Sequence, residues 1–359
     1  MSDQPDLKTM IDASVAATKP RFGAIEPDRL ADFIRGQTGA RAVTLSNIRG
    51  SSELTGASSG IVLFSAAING VSRDYVLRYA PTDNPLRIFF DYNIAGQFAV
   101  QHKLARAGLP VPDTHWADPE GAALGLPAFV MEAAAGEVAH ASAFTGGLFA
   151  ETDDAGRSAM FDRVLAAQHT IHEVDWRALG LDRDVCAGPG RTPIERYIAY
   201  FWQTAEWVKP FQIERLAAVR DWLVRNQPDY HVEEYRLVHG DPGLGNYMFA
   251  GGKIVAIIDW ELSGIVHPTY DLAMHCALSD FFRASAAPEV AAIIPTSAAW
   301  LARYTQVTGR TPADFAYFQK LVTLPSLIVS LSMNRGMPPG MRAGHLQMIE
   351  AIWQQAEAG

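Results

Sequence analysis

Two segments in the second half of the chain carry acid and amide side chains at a spacing that could support chemistry. Asp241 and Asn246 lie five residues apart within residues 237–246, and Asp259 ends the apolar run 254–258. One carboxylate can take the proton of an attacking hydroxyl, while an Asn and an Asp can hold a metal ion that bridges phosphates. The sequence therefore predicts phosphoryl transfer, with Asp241 as the catalytic base and Asn246 and Asp259 as Mg²⁺ ligands.

Each of these side chains also has a structural interpretation. A loop Asp often accepts hydrogen bonds from turn amides, a loop Asn can bond locally, and an Asp after a strand can cap it. The order and spacing favour the chemical interpretation of Asp241, Asn246 and Asp259. Glu261 follows Asp259 by two residues and could bind the metal ion or support the residues that do.

The elements that would position these groups are strands first and helices afterwards. A β-like pattern runs over residues 42–80, and Asn-Gly at residues 69–70 predicts a hairpin turn. A helix is expected over 91–107, followed by a hairpin that joins 114–117 to 128–131. Helices are then expected at 158–174, 194–208, 213–226, 270–283, 287–307, 312–332 and 340–357. This order predicts an α+β fold of two lobes.

The composition is that of a globular protein. The 359 residues are 48% hydrophobic and 19% charged, with a formal net charge of −9. Because Lys and Arg are scattered, we expect no nucleic-acid partner, and no apolar run approaches a membrane span. The N-terminus does not resemble a secretory signal, and the two distant cysteines favour a reducing compartment. We therefore expect a cytoplasmic protein; the sequence leaves its oligomeric state open.

The segment around Asp241 resembles the aminoglycoside phosphotransferase and choline kinase family. That family's signature is His-Gly-Asp, four free positions and Asn, followed by an apolar strand that ends in Asp; this chain has it at His239, Gly240, Asp241, Asn246 and Asp259. The resemblance covers roughly residues 40–335 and is closest to the subgroup of acyl-CoA-dehydrogenase-associated kinase domains.

The resemblance implies ATP and Mg²⁺ chemistry on a two-lobe protein-kinase-like fold. The expected divisions are an N-terminal arm and helix at 1–40, a nucleotide-binding N-lobe of antiparallel strands plus one helix at 41–132, and a helical C-lobe with the catalytic loop and acceptor site at 133–359. It also implies that His239 packs beneath the loop and that Asp271 ties the loop down, both as structural residues.

The resemblance assigns the phosphate-binding side of the cleft to two segments. Arg78, which follows Tyr75-Val76-Leu77, stands where protein kinases carry a phosphate-binding Lys. The turn that contains Gly56, Ser58 and Ser59 is similar to the family's Gly-rich turn over the phosphates. Residues 49–52 are a rival for that role.

The adenine site is expected at the connector between the lobes, in the apolar strand and small-residue hinge of residues 127–136. By the resemblance, Met131 would lie at the back of the pocket, and the adenine would hydrogen-bond the backbone at Glu132 and Ala134.

The chain departs from the family pattern at one position. The helix after the Arg78 strand normally carries a Glu that pairs with the basic residue, but the corresponding residue is Gln97. Gln retains a hydrogen-bond acceptor and lacks the charge. Asp91 is an alternative partner for Arg78.

Two other sets of residues invite a functional interpretation. His169 and His172 do not have the i, i+4 spacing of a helical zinc site, so we expect them to be structural. An aromatic set either packs between helices or lines the acceptor site; its members are Tyr197, Tyr200, Phe201, Trp202, Trp207, Phe281 and Phe282.

The function expected from these features is ATP- and Mg²⁺-dependent transfer of a phosphoryl group to a hydroxyl of a small molecule. The alternative is a nucleotide-binding pseudokinase or regulatory module without turnover, for which Gln97 is the main support. A protein kinase is a weaker possibility, because no Asp-Phe-Gly or Ala-Pro-Glu segment is present.

Overall fold

The structure is a computed structural model, and it describes residues 25–50, 58–81, 87–138, 144–337 and 339–357. Gly56, one of the expected phosphate-binding residues, lies outside these ranges, as do most of the N-terminal arm and residues 51 and 52 of the rival turn.

The smaller lobe is built on a five-stranded antiparallel sheet with the spatial order β1-β2-β3-β5-β4. Its strands are β1 (Val43–Arg49), β2 (Gly60–Ile68), β3 (Val71–Tyr79), β4 (Thr114–Asp118) and β5 (Ala128–Glu132). Asn69 and Gly70 both have positive φ angles, 50° and 89°, as an Asn-Gly hairpin turn requires. Both predicted hairpins are confirmed.

Two helices flank this sheet, and they belong to different cores. Helix α1 (Pro27–Thr38) buries Leu30 and Ile34 in the same apolar cluster as Leu77 of β3. Helix α2 (Ile94–Arg106) instead contributes Val100 to the large core that continues into the helical lobe. The sheet therefore lies between a small local core and the main core of the protein.

Helix α2 begins three residues later than the pattern indicated. Asn93 adopts a left-handed conformation with φ 44°, and its side chain accepts a hydrogen bond from the amide of Gly96. This cap satisfies an amide at the start of the helix, so residues 91–93 form its approach rather than its first turn.

The larger lobe is mainly helical. Its helices are α3 (Asp154–His172), α4 (Pro193–Val208), α5 (Ile213–Arg225), α6 (Thr269–Ser285), α7 (Pro288–Ile293), α8 (Ser297–Thr308), α9 (Phe315–Gly336) and α10 (Pro339–Glu357). The prediction of one helix over 287–307 is wrong, because Pro295 separates α7 from α8. The other helices agree with the prediction to within a few residues.

Helix α9 is long and apolar enough, by length and composition, to cross a membrane; within the described ranges no other helix meets that test. Of its apolar stretch, 61% is buried inside the protein. Residues such as Phe318, Leu324 and Leu327 are fully enclosed in the main core. This burial is what a core helix of a globular lobe shows.

Two small sheets in the larger lobe carry the loop of interest. One pairs β7 (Arg236–Val238) with β10 (Gly264–Val266), and the other has the order β6-β8-β9, with β6 at Glu137–Val138, β8 at Tyr247–Ala250 and β9 at Lys253–Ile257. The loop after β7 carries Asp241 and Asn246, whereas Asp259 follows β9.

Candidate active site

The loop after β7 can turn as it does because residue 240 is a glycine. Gly240 has a φ of +85°, a region that side chains strongly disfavour. A Cβ atom at this position would lie 1.9 Å from the carbonyl oxygen of Leu262. The His-Gly-Asp sequence therefore has a geometric basis, since the backbone at its centre must pass against the segment that follows Asp259.

Asp271, the third residue of α6, holds the loop in place through hydrogen bonds to its backbone. Its carboxylate, which is fully buried, accepts hydrogen bonds from the backbone amides of His239 at 2.9 Å and Gly240 at 3.0 Å. His172 Nε2 lies 2.9 Å from the same carboxylate. Burial would raise the pKa of Asp271, but the hydrogen bond and charge of His172 lower it overall. The prediction that Asp271 ties down the loop is confirmed.

His239 joins the loop to the segment that carries Asp259. Its Nε2 atom lies 2.9 Å from the carbonyl oxygen of Ile258, and its ring packs against Trp260. The side chain is completely buried. The expectation that His239 packs beneath the loop and bonds the backbone is confirmed.

The three residues singled out for chemistry are brought together by backbone contacts. Asn246 donates through its side-chain amide to the carbonyl of Asp241 at 2.8 Å. Its own carbonyl accepts from the amide of Ile258 at 2.9 Å, so Asn246 lies beside Asp259. Burial raises the pKa of the Asp241 carboxyl and the charge of Asp259 raises it further. The two carboxylates are therefore close enough to repel each other.

These residues fit a hard cation such as Mg²⁺. The amide of Asn246 uses its nitrogen in bonding Asp241, so its oxygen is available as a ligand. Asp259 has a φ of +68°, an uncommon conformation for a residue other than Gly, which sets the direction of its carboxylate. A cation between Asn246 and Asp259 would also relieve the repulsion between the two aspartates. No cluster of three or more acidic, His or Cys ligands occurs in the described part of the chain.

Arg78 lies on β3 and reaches across the cleft to the larger lobe. One terminal nitrogen is 2.7 Å from Asp259 and 2.6 Å from Glu261. Its side chain is only 6% exposed. Burial acts to lower the pKa of Arg78, but Asp259 and Glu261 outweigh this effect and raise it. The arginine is thus held as a cation beside the proposed metal ligand.

Glu261 connects this arginine to the turn over the cleft. Its carboxylate accepts hydrogen bonds from Ser58 Oγ at 2.6 Å and from Ser59 Oγ at 3.2 Å. Burial and the nearby charge of Asp259 raise the pKa of Glu261 to about 7, against the opposing effect of Arg78. In this structure the two serines expected to face phosphates bond Glu261.

The structure shows how the chain can carry Gln97 where the family pattern has a Glu. Its side-chain nitrogen donates to the carbonyl of Tyr92 at 2.6 Å, and no hydrogen bond or ion pair joins it to Arg78 within the described residues. Asp91, the alternative partner, accepts from the amide of Asn93 instead. The counter-charge that a helix Glu would supply comes from Glu261. The sequence does not indicate this role of Glu261, because Glu261 and Arg78 are 183 residues apart.

The connector between the lobes offers a backbone donor suited to a nucleobase. The amide of Glu132 already donates to the carbonyl of Asp113 at 2.9 Å, so Glu132 would contribute its carbonyl rather than its N–H. The amide of Ala134 bonds no other residue in the described ranges. Met131 is buried on β5 opposite Val76 of β3, within the main core.

Some residues of the aromatic set are buried in the core, and others are half-buried. Tyr197 and Phe201 are buried and stack edge to face, and the Tyr197 hydroxyl donates to the carbonyl of Leu262 at 2.8 Å. Packing is thus the role of these two. Tyr200, Trp202 and Trp207 are half-buried on the same helix. His172, paired with Asp271, has the structural role expected of it.

Comparison with known proteins supports this assignment of the fold. The sequence profile of the family described as "Phosphotransferase enzyme family" matches residues 65–312. Acyl-CoA dehydrogenase family member 11 of Rattus norvegicus is 32% identical over 219 residues, which are 59% of this chain and 26% of that protein. The chain thus spans about a quarter of the length of this relative.

Solved structures share the whole fold. A protein assigned as an aminoglycoside phosphotransferase from Ralstonia eutropha has a TM-score of 0.66 and 23% identity, covering 93% of this chain and 99% of its own. A mutant of aminoglycoside phosphotransferase APH(4)-Ia, in ternary complex with AMP-PNP and hygromycin B, has a TM-score of 0.56 and 20% identity, covering 92% and 99% of the two chains. The α+β, two-lobe, kinase-like fold is confirmed.

Proposed function

The chain belongs to the phosphotransferase enzyme family, and from this premise we propose that it transfers the γ-phosphoryl group of ATP to a hydroxyl group of a small molecule. The observation that carries the proposal is the half-buried assembly of Asp241, Asn246 and Asp259, in which Asp241 and Asn246 lie on the loop fixed by Asp271. A protein that only binds nucleotide has no need of a carboxylate held at the place of Asp241.

The proposed role of Asp241 is to orient the acceptor hydroxyl and to take its proton late in the transfer. Asn246 and Asp259 would hold Mg²⁺, which supplies positive charge against the phosphate oxygens when it is bound. Because burial and Asp259 raise the pKa of Asp241, relief of this repulsion would lower that pKa and favour the ionised form that a base requires.

Arg78 would steady the phosphates of the nucleotide. A guanidinium can bind phosphate oxygens through two parallel hydrogen bonds, and Arg78 is kept charged by its two carboxylate partners. Glu261 would hold the arginine in place while Asp259 turns to the metal ion. Ser58 and Ser59 donate to Glu261 in this structure, so their contact with phosphates stays a prediction.

The nucleotide base would bind at the connector. Ala134 offers a backbone donor and Glu132 a carbonyl, and Met131 would close the back of the pocket. A solved structure of the same fold holds AMP-PNP, which supports the binding of a nucleotide by this chain.

The alternative of a pseudokinase loses its main support. Gln97 had suggested that the phosphate-binding residue lacks a counter-charge, but Arg78 has two carboxylate partners without it. We also propose a cytoplasmic location: Cys186 and Cys276 are both free and buried, as in proteins of reducing compartments.

The test is acceptor-dependent ADP release with Mg²⁺ against aminoglycosides, macrolides, choline, homoserine and hydroxyacyl-CoA esters. For the acceptor that responds, Asp241→Asn is expected to lower kcat by at least about a hundredfold, since it removes the base. Asp280→Asn, on the exposed side of α6, is the matched control and should leave the rate unchanged. Survival of transfer within about tenfold in Asp241→Asn would show that Asp241 is not the base.

A further inference from the structure

A second charged cluster lies between α4, α9 and the segment that leads into α2. Arg87 and Arg335 approach the same indole ring, that of Trp207, at 5.7 Å and 4.6 Å from its centroid. Neither arginine forms an ion pair with any acid in the described ranges. The cluster therefore holds two positive charges without a described counter-charge.

The two guanidinium groups are linked to each other through the backbone. Arg335 donates to the carbonyl of Arg87 at 3.0 Å, and Arg87 donates to the carbonyl of Phe90 at 2.7 Å. The Nε atoms of both arginines are buried and have no hydrogen-bond partner. Arg342 adds a third positive charge through a bond to the carbonyl of Arg335 at 3.3 Å.

Two acids on neighbouring elements, Asp91 and Glu206, accept hydrogen bonds from other groups. The Asp91 side chain accepts from the amide of Asn93 at 2.8 Å, and Glu206 accepts from the indole of Trp202 at 2.9 Å. Burial lowers the pKa of Arg335, the reverse of what the carboxylates do for Arg78. Since half-buried charges are normally paired, this arrangement is suited to an anion supplied from outside.

Hydrogen bonds attach the segment that carries Arg87 to α4 and α9. Ser332 on α9 donates to the carbonyl of Ile88 at 2.6 Å, and the amide of Phe90 donates to Thr204 on α4 at 3.1 Å. The hydroxyl of Tyr200, also on α4, donates to the carbonyl of Asp91 at 3.0 Å. The segment that carries Arg87 is thus fastened to both helices, and the two arginines are positioned before any ligand binds.

Tyr92 connects this cluster to the cleft. The Arg87 guanidinium lies 5.7 Å from the centroid of the Tyr92 ring, while the carbonyl of Tyr92 accepts the hydrogen bond from Gln97. Burial raises the pKa of Tyr92 to about 12, and the charge of Glu261 contributes to the increase. Through Tyr92 the cluster is therefore joined to Gln97 on α2.

We propose that Arg87 and Arg335, which both approach the ring of Trp207, bind a carboxylate or phosphate group of the acceptor. This inference rests on the proposed function and narrows the acceptor to a hydroxylated anion. Guanidinium groups that share one acidic group can give it several charge-assisted hydrogen bonds. Two arginines with no acidic partner among the described residues would disfavour a cationic acceptor such as an aminoglycoside or choline, because like charges repel.

The binding test uses acetate and inorganic phosphate as probes, titrated by calorimetry at constant ionic strength. For at least one probe, the double variant Arg87→Gln/Arg335→Gln should weaken binding by about tenfold or more, as expected for lost charge-assisted hydrogen bonds. Arg220→Gln is the matched control, since Arg220 also stacks on a tryptophan, Trp202, at 3.9 Å but is paired with Asp221. Arg78→Gln separates this site from binding at the nucleotide site.

Preference for acetate would identify a carboxylate group, and preference for phosphate a phosphate group. Equal binding by the wild type and the double variant, or no binding of either probe by the wild type, would overturn the proposal. In a turnover assay, Arg335→Gln should raise the KM for an acidic acceptor about tenfold and leave the KM for ATP unchanged. Transfer to a cationic acceptor that Arg335→Gln does not alter would refute the anion site and leave the proposed function intact.

Discussion

Substitution of Asp271 by Asn tests whether the Asp271 carboxylate holds the loop that carries Asp241. The native carboxylate accepts from two backbone amides, at 2.9 and 3.0 Å, and pairs with His172 at 2.9 Å, with no exposure to solvent. The Asn amide keeps one oxygen and places an NH₂ group where a second acceptor is needed. At least one buried backbone N–H then loses its partner.

A hydrogen bond to a charged group contributes about 1.5–3 kcal/mol, and a buried donor left without a partner costs about 1–3 kcal/mol. Since Asn can retain one bond, we expect Asp271→Asn to lower the free energy of unfolding by about 3–5 kcal/mol. A small displacement of Asp241 should lower kcat by about a hundredfold. The KM for ATP should change little, because the connector and Arg78 are untouched.

Urea denaturation followed by circular dichroism measures the stability change, and steady-state kinetics measures the other two quantities. His172→Gln is the matched control, since it removes one partner of Asp271 and leaves both amide bonds in place. A loss of stability below about 1 kcal/mol in Asp271→Asn, together with an unchanged kcat, would show that Asp271 does not hold the loop of Asp241 in place.

Three further substitutions follow from the same geometry. Glu261→Gln should weaken ATP binding about tenfold in a calorimetric titration, because Arg78 loses one of two carboxylates; unchanged affinity would contradict this. Gly240→Ala should cost at least about 3 kcal/mol in urea denaturation, since its Cβ would meet the Leu262 carbonyl; wild-type stability would contradict the clash. Burial lowers the pKa of His275 to about 4. The unfolded chain therefore binds the extra proton between about pH 6.5 and 4, and stability should fall by up to about 3 kcal/mol as pH falls through that window. His275→Gln should reduce this loss in urea denaturation at several pH values; an identical pH dependence would exclude His275.

The local features of the candidate site could be predicted because their causes are local. The His-Gly-Asp turn requires a glycine at 240, and the apolar strand before Asp259 is visible as a pattern. The hairpin at Asn69 follows from the preference of Asn-Gly for positive φ angles. The division of helix 287–307 could have been predicted as well, since Pro295 interrupts it.

The contacts that give the site its charge balance could not be predicted in this way. Glu261 meets Arg78 across 183 residues, and Arg335 meets Arg87 across 248. No periodicity or local motif records which side chains meet over such distances. Gln97 shows the consequence, because a substitution that indicates a lost ion pair in the sequence is compensated by an acid from the other lobe.

The proposed activity of the protein is the transfer of the γ-phosphoryl group of ATP to a hydroxyl group. ³¹P NMR of the protein with ATP, Mg²⁺ and each acceptor of the panel follows this directly. We expect the γ-phosphate resonance to decline while a new phosphomonoester resonance grows with one class of acceptor, and we expect Asp241→Asn to abolish the change. ATP binding without a new phosphomonoester from any acceptor of the panel would contradict phosphoryl transfer and favour a nucleotide-binding module.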